Sequence, residues 1–212
     1  MRAIGLPVPV ANQFLPSRLK VVGPDASHDS VLLYVNTAFH QARKVGIEHI
    51  VFGSGGARYV PDGFSKAAAR QQFVELLRKM APLVSNYGIT LCLEPLRRTE
   101  TNFLNTVPES LEIIRDIDHP AVQLTFDIYH VLQEGRGAED VLLAGDAIRH
   151  CHVAEKRDRA APGVHGEDFT SFFAALRSVG YHGRISLECR WRNRAAQLRS
   201  AVREIKRQLS IS

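Results

Sequence analysis

ITLCLEP at residues 89–95 and AVQLTFDIYH at residues 121–130 decide the fold. Each is a short apolar run that ends on an acid, Glu94 in the first and Asp127 in the second. AIRHCHVAE (147–155) and GRISLEC (183–189) repeat the pattern with His152 and Glu188. Short apolar runs bounded by turn residues read as buried strands, and helical pattern separates one run from the next. In a parallel βα barrel the C-terminal ends of the strands converge on one face, which is where the chemistry sits. Two glutamates, an aspartate and a histidine meeting there make an oxygen-rich site for a divalent metal.

Outward from these runs the chain alternates strand and helix. PVPVANQF (7–14) is a first strand-like segment, followed by a helix over 27–45 with Val31, Val35, Ala38, Phe39 and Ala42 at helical spacing. Gly46 closes that helix. HIVFGSG (49–55) is a strand entering a glycine-rich turn. A long helix over 65–87 starts at Ser65 as N-cap and is expected to kink at Pro82. Strand 89–94 follows, then a helix over 107–117 with Pro108 in its first turn. Strand 121–127, a short helix near 138–144 and strand 148–153 come next. A helix near 168–179, with Asp168 as N-cap and Gly180 beyond its end, precedes strand 184–188 and a last helix at 194–209. These are six βα units without a linker, which indicates a parallel sheet covered by helices. An open doubly wound sheet collects its ligand groups around one switch point. Here four consecutive strands end in chemistry-bearing residues, which favours a closed or nearly closed barrel.

The 212 residues are 45% hydrophobic and 23% charged, the composition of an ordinary globular protein. No apolar run reaches the ~20 residues of a membrane span. The first sixteen residues lack the continuous apolar segment of a secretion signal. Cys92, Cys151 and Cys189 fall inside expected strands without CxxC spacing, so they read as buried thiols of a cytoplasmic protein. The net charge of +5 is spread out, with no interleaving of aromatic and basic residues, and reads as a solvated surface rather than a nucleic-acid footprint. GSGGAR (53–58) lacks the GK[ST] ending of a P-loop and the spacing of a dinucleotide site. It reads as a tight turn at the barrel mouth.

LEPLRRTETNFLNT (93–106), FDIYH (126–130), RHCHVAEKRDRAAPG (149–163) and DFTSFFAALRSVGYHGRISLE (168–188) together resemble the xylose isomerase-like superfamily. Within it the resemblance is to sugar (phosphate) isomerases and epimerases, including the ketose 3-epimerase and hydroxypyruvate isomerase groups. It runs from about residue 7 to about residue 191. It implies a metal-dependent TIM barrel with Glu94, Asp127, His152 and Glu188 as metal ligands, holding Mn²⁺ or else Co²⁺ or Mg²⁺. It further implies that Glu100 and His130 bind substrate, together with Arg159, for which Arg157 is the fallback. The expected reaction is isomerisation or epimerisation of a small sugar, sugar phosphate or hydroxy-keto acid. A proton next to a carbonyl is removed by one carboxylate and returned by another, with Glu94 and Glu188 as carriers and a metal-stabilised enediolate between.

His150 shares a strand face with His152 and reads as a supporting residue. His165 reads as surface. Trp191 walls the site or simply packs. Arg97 and Arg98 read as solvent-exposed, with an anionic substrate as the alternative. An apurinic endonuclease of the same superfamily needs a three-metal cluster richer in histidine, which these strand ends underfill. A metal- or sugar-binding protein without turnover is the non-catalytic alternative. The family barrel has eight strands, and six are found here, matching its last six. The expectation is therefore one domain over 1–212 that lacks the first two units. Its first and last strands would lie at open edges, so the chain would self-associate or be poorly soluble.

Overall fold

Six strands, all parallel, pair in the order of the chain and form a curled half-barrel in the computed structural model, which describes residues 5–212. The order is β1 (Val10–Ala11), α1 (His28–Val45), β2 (His49–Phe52), α2 (Lys66–Asn86), β3 (Thr90–Leu93), α3 (Val107–Ile117) and β4 (Val122–Asp127). Then come α4 (Ile128–Gln133), α5 (Glu139–Ala144), β5 (Ile148–Val153), α6 (Thr170–Ser178), β6 (Ile185–Leu187) and α7 (Arg194–Ile211). This is the α/β architecture of an incomplete TIM barrel with six βα units.

Local chemistry explains the helices. Ser27 and Ser65 cap α1 and α2 by accepting from Ser30 N and Ala68 N, and Gly46 ends α1 at φ 85°. Pro82 lies inside α2, which continues through it to Asn86. Thr106 and Glu109 form a reciprocal capping box at the start of α3, with Pro108 in the first turn. Thr106→Ala is expected to cost about 1 kcal/mol of folding stability, read as the shift in a urea midpoint. Three details differ from the sequence expectation. The first strand shrinks to two residues. Asp168 does not cap α6; Phe169 holds that position, while Asp168 Oδ1 accepts from the Thr170 amide and hydroxyl. Cys189 lies beyond β6 and is only half-buried, whereas Cys92 and Cys151 are buried in strands.

The core is built in two parts. Phe39, Phe14, Phe52, Phe73 and Phe103 touch in series, with centroid distances of 5.3–5.6 Å, and fasten β2 to α1, α2 and the loop after β3. A second cluster centred on Phe126, Phe169, Phe172 and Phe173 packs β4 and β5 against α6. β1 and β6 are the two ends of the sheet. All three residues of β6 are only half-buried, as an unpaired edge requires. Two side-chain bridges span the opening. Asn12 Nδ2 donates to Glu188 Oε1 at 2.7 Å at the mouth, and Arg184 Nη1 donates to Glu48 Oε2 at 2.9 Å at the other end.

Candidate metal centre and substrate cleft

Glu94 and Glu188 each follow the last residue of a strand, Asp127 ends β4, and His152 is the last residue but one of β5. The register pairs Asp127 with His152 and Thr125 with His150, so these four side chains share the inner face. One ligand atom from each of Glu94, Asp127, His152 and Glu188 lies within 4.8 Å of all the others. His152 Nδ1 is at the centre, 2.8 Å from Glu94 Oε1, 3.1 Å from Glu188 Oε2 and 3.7 Å from Asp127 Oδ2.

Asp127 is aimed by its own chain. Its Oδ1 accepts from the amides of Tyr129, at 2.8 Å, and His130, at 3.4 Å, capping α4. Oδ2 is thereby turned into the cluster, buried and without a hydrogen-bond partner. The helix α4 leaves β4 with no intervening loop and was not read from the sequence. Three carboxylates face one guanidinium here, that of Arg159, whose Nη2 lies 2.6 Å from Glu188 Oε2 and 3.6 Å from Asp127 Oδ2. The electrostatics show the same excess of negative charge. Burial works against a charged His152, but the carboxylates of Asp127, Glu188 and Glu94 around it outweigh that and hold its pKa well above the ordinary value. Burial likewise opposes ionisation of Asp127, yet the imidazoles of His130 and His152 beside it hold its pKa below the ordinary value. An orphaned buried carboxylate oxygen inside an excess of carboxylate charge fits a divalent cation, with oxygen donors and one imidazole as its ligands.

Above the cluster opens a cleft of about 510 Å³, lined in part by Glu94, Glu188, Glu100, His130 and Arg159. His130 is buried; its Nδ1 accepts from the Arg97 amide at 3.2 Å, which puts the proton of a neutral ring on Nε2. Nε2 has no partner and lies 3.6 Å from Asp127 Oδ2. Glu100 is gripped by Arg97 Nε at 2.8 Å and approached by Arg159 Nη1 at 3.7 Å. Both guanidiniums stack on the Tyr129 ring, at 5.2 and 4.7 Å. Arg157 is exposed, does not line the cleft, and pairs with Asp158 at 3.9 Å.

Other residues fall elsewhere. Trp191 shares a separate cleft of about 270 Å³ with His165 and Asp158, and does not wall the main cleft. His165 lies at the surface, with Nε2 3.2 Å from Asp158 Oδ2. Arg98 pairs with Glu134 at 2.9 Å. His150 is buried, with both ring nitrogens unpartnered, and burial pushes its pKa down to about 3.

The sequence reading passed over several residues that shape the site. Asn12, Tyr129 and Arg58 carry no spacing signal. GSGGAR does, but its reason differs from the one expected: Gly53, Gly55 and Gly56 are absent from the residues with positive φ. Space is what matters. A Cβ on Gly53 would lie 2.3 Å from Glu94 Oε2. Gly53→Ala is therefore expected to leave the fold intact, push the Glu94 carboxylate aside and weaken Mn²⁺ binding by ~10-fold or more. Titration followed by electron paramagnetic resonance of free Mn²⁺ reads this, and unchanged affinity would refute it.

A parallel half-barrel that brings carboxylates and an imidazole together at its strand ends defines a class of metal-binding βα-barrel proteins. The family model described as xylose isomerase-like TIM barrel matches residues 1–208, and the chain belongs to that family. It is 36% identical over 120 residues to an L-ribulose 3-epimerase of Methylomonas sp. (strain DH-1), covering 56% of this chain and 42% of that protein. It is 27% identical over 181 residues to a D-psicose 3-epimerase of Agrobacterium fabrum (strain C58), covering 82% and 61%. The chain thus spans less than two thirds of the length of these relatives. Among solved structures, a D-allulose 3-epimerase from Methylomonas sp. in complex with D-allulose superposes with a TM-score of 0.79 at 25% identity, covering 93% of this chain and 75% of that one. An L-ribulose 3-epimerase shares the fold with a TM-score of 0.83 at 20% identity, covering 99% and 77%.

Proposed function

We propose that this chain is a divalent-metal-dependent epimerase or isomerase acting on a small, uncharged ketose. The observation that carries this reading is the convergence of two carboxylates, Glu94 from β3 and Glu188 from β6, on His152 Nδ1 at the floor of one cleft. Glu94, Asp127, His152 and Glu188 would hold the cation, and Mn²⁺ suits this mix of carboxylate and imidazole, ahead of Co²⁺ or Mg²⁺. When bound, the cation supplies positive charge where negative charge develops on substrate oxygens.

The chain's own residues do the rest. One of the two glutamates takes the proton from the carbon next to the carbonyl, and the other returns one at the neighbouring carbon or on the opposite face. His130 Nε2 donates to a substrate oxygen, and Glu100, held by Arg97, accepts from a hydroxyl. Arg159 orients Glu188 and presents its remaining donors to the distal end of the substrate.

Charge selects the substrate class. The titratable lining of the cleft includes Glu94, Glu100 and Glu188 against a single arginine, already engaged by Glu188. With Arg159 taken up by Glu188 and Glu100 held by Arg97, the lining offers no free cationic side chain to a phosphate or carboxylate, so a neutral sugar fits better than a sugar phosphate or a hydroxy-keto acid.

An apurinic endonuclease is disfavoured. A solved structure titled as an AP endonuclease of family 2 from Brucella melitensis shares the fold, with a TM-score of 0.77 at 22% identity. Among the described residues, however, only one group of metal-ligating side chains forms, and it contains one histidine. No helix among these residues is long and apolar enough to cross a membrane. A reducing, cytoplasmic setting is our reading of the three free thiols.

The test is exchange. Metal-loaded protein is incubated in D₂O with D-fructose, D-tagatose and L-ribulose, and deuterium next to the carbonyl is read by NMR. Incorporation accompanied by a new epimer or isomer is expected. Tight metal binding without exchange into any ketose would overturn catalysis and leave a binding protein.

A further inference from the structure

Arg58 is the one guanidinium among the described residues that is wholly buried, and the reaction proposed above gives it no part. Its two terminal nitrogens donate to main-chain carbonyls, while the buried Nε has no partner. Nη1 donates to Phe52 O at 3.0 Å, and Nη2 donates to Glu94 O at 2.7 Å and Leu104 O at 3.3 Å. These carbonyls belong to the end of β2, the end of β3 and the loop that carries Glu100. A guanidinium removed from water persists only where fixed acceptors replace its hydration, and its planar fork reaches acceptors on separate segments that an ammonium would not span.

We propose that Arg58 is a positioning residue that sets Glu94 and Glu100 relative to one another. The loop that leaves β3 at Glu94 and carries Glu100 is tied elsewhere by Arg97 N to His130 Nδ1 at 3.2 Å, Arg98 N to Glu134 Oε1 at 2.7 Å and Thr101 Oγ1 to Gly55 O at 3.3 Å, but none of these ties reaches Glu94. Leu96 N donates to Leu104 O at 3.2 Å, and Asn105 Nδ2 donates to Leu96 O and Thr101 O at 2.7 and 2.9 Å. Those bonds make the loop internally rigid. Arg58 binds the residue at which the loop leaves β3 and the residue near which it returns. Asn102 adds a further fastening to the same segment, exchanging hydrogen bonds with Val60 N and Val60 O at 2.9 and 2.8 Å. Arg58 is itself held by the turn after β2, its amide donating to Ser54 O at 3.3 Å. The loops after β2 and β3 therefore move together, with the Glu94 carboxylate against Gly53 on one side and Glu100 facing the cleft on the other.

The proposal rests on the metal-dependent reading of the site, so its test has one arm with metal and one without. Arg58→Met and Arg58→Lys are compared with the parent and with Arg136→Met. The last strips the buried Asp140 of its guanidinium outside the cleft lining and reports plain destabilisation. In metal-free protein, amide exchange across residues 94–105 is expected to quicken in both Arg58 variants and not in Arg136→Met. Mn²⁺ dissociation constants should rise by ~10-fold or more in Arg58→Met, the loss expected when a residue supporting a ligand is removed, and less in Arg58→Lys. If Arg58→Met does not fold, Arg58→Lys decides by the same two readings. If the parent binds no Mn²⁺, the metal reading falls and exchange alone judges Arg58. Exchange and affinity in a folded Arg58 variant matching the parent, or matching Arg136→Met, would overturn the proposal.

Discussion

Glu94→Gln and Glu188→Gln are each expected to lower turnover of a ketose by ~10²-fold or more, because each removes one of the two groups that move the proton. The amide keeps an oxygen that can still ligate, so part of the metal affinity should survive. That separates the two duties of each glutamate: turnover collapses while Mn²⁺ binding weakens. The two variants should differ in one respect. Glu188 is half-exposed and anchored by Arg159 and Asn12, whereas Glu94 is buried against Gly53. Glu94→Gln therefore places an NH₂ group in a tighter space and should cost more metal affinity. Stopped-time assays alongside metal titration check both points. A variant retaining more than a tenth of parental turnover would remove that glutamate from the proton-transfer step.

Asp127→Ala should abolish stable metal retention. It removes a ligand outright, so the loss should exceed the ~10–100-fold that follows removal of an outer hydrogen-bond partner. The same change deletes the side-chain cap of α4 and should cost about 1 kcal/mol of stability. Asp127→Asn separates the effects: its amide oxygen can still accept from Tyr129 N and His130 N, so the cap persists while the negative charge is gone. Elemental analysis of protein purified without chelator reads the first effect and urea unfolding the second. Equal metal content in parent and Asp127→Ala would defeat the assignment of this residue as a ligand.

The strand-helix alternation was legible because each buried parallel strand is a short apolar run, and Glu94, Asp127, His152 and Glu188 stood out by ending those runs. The start of α2 was legible from its cap, Ser65, whereas Asp168, read the same way, does not cap α6. α4 was not legible. IYHVLQ is too short for a periodicity signal, and its cap is Asp127, a residue already given another task. Arg58 was invisible for a related reason: nothing in GSGGAR tells a buried cation from a solvated one, since its acceptors are carbonyls from segments as many as 46 positions away. Sequence spacing chose Arg159 over Arg157 only through family resemblance. In the structure Asp158 and Arg159 both take positive φ, at 61° and 52°, and Arg159 lies over the Tyr129 ring.

The opening between β1 and β6 ties the shape of the sheet to the affinity of the site. Glu188 stands on one lip of that opening and is drawn across it by Asn12 on the other, while its fellow ligands come from strands further round the curve. The half-barrel therefore behaves like a split ring with a clasp. Uncurling it by even a few ångströms would carry Glu188 off the other ligands, so any cation that engages all of them works against uncurling. By linkage, a cation present at a hundred times its dissociation constant would add about 2.7 kcal/mol to the curled form, and so to the seating of β6, whose backbone pairs with β5 on one side and lies at the sheet edge on the other.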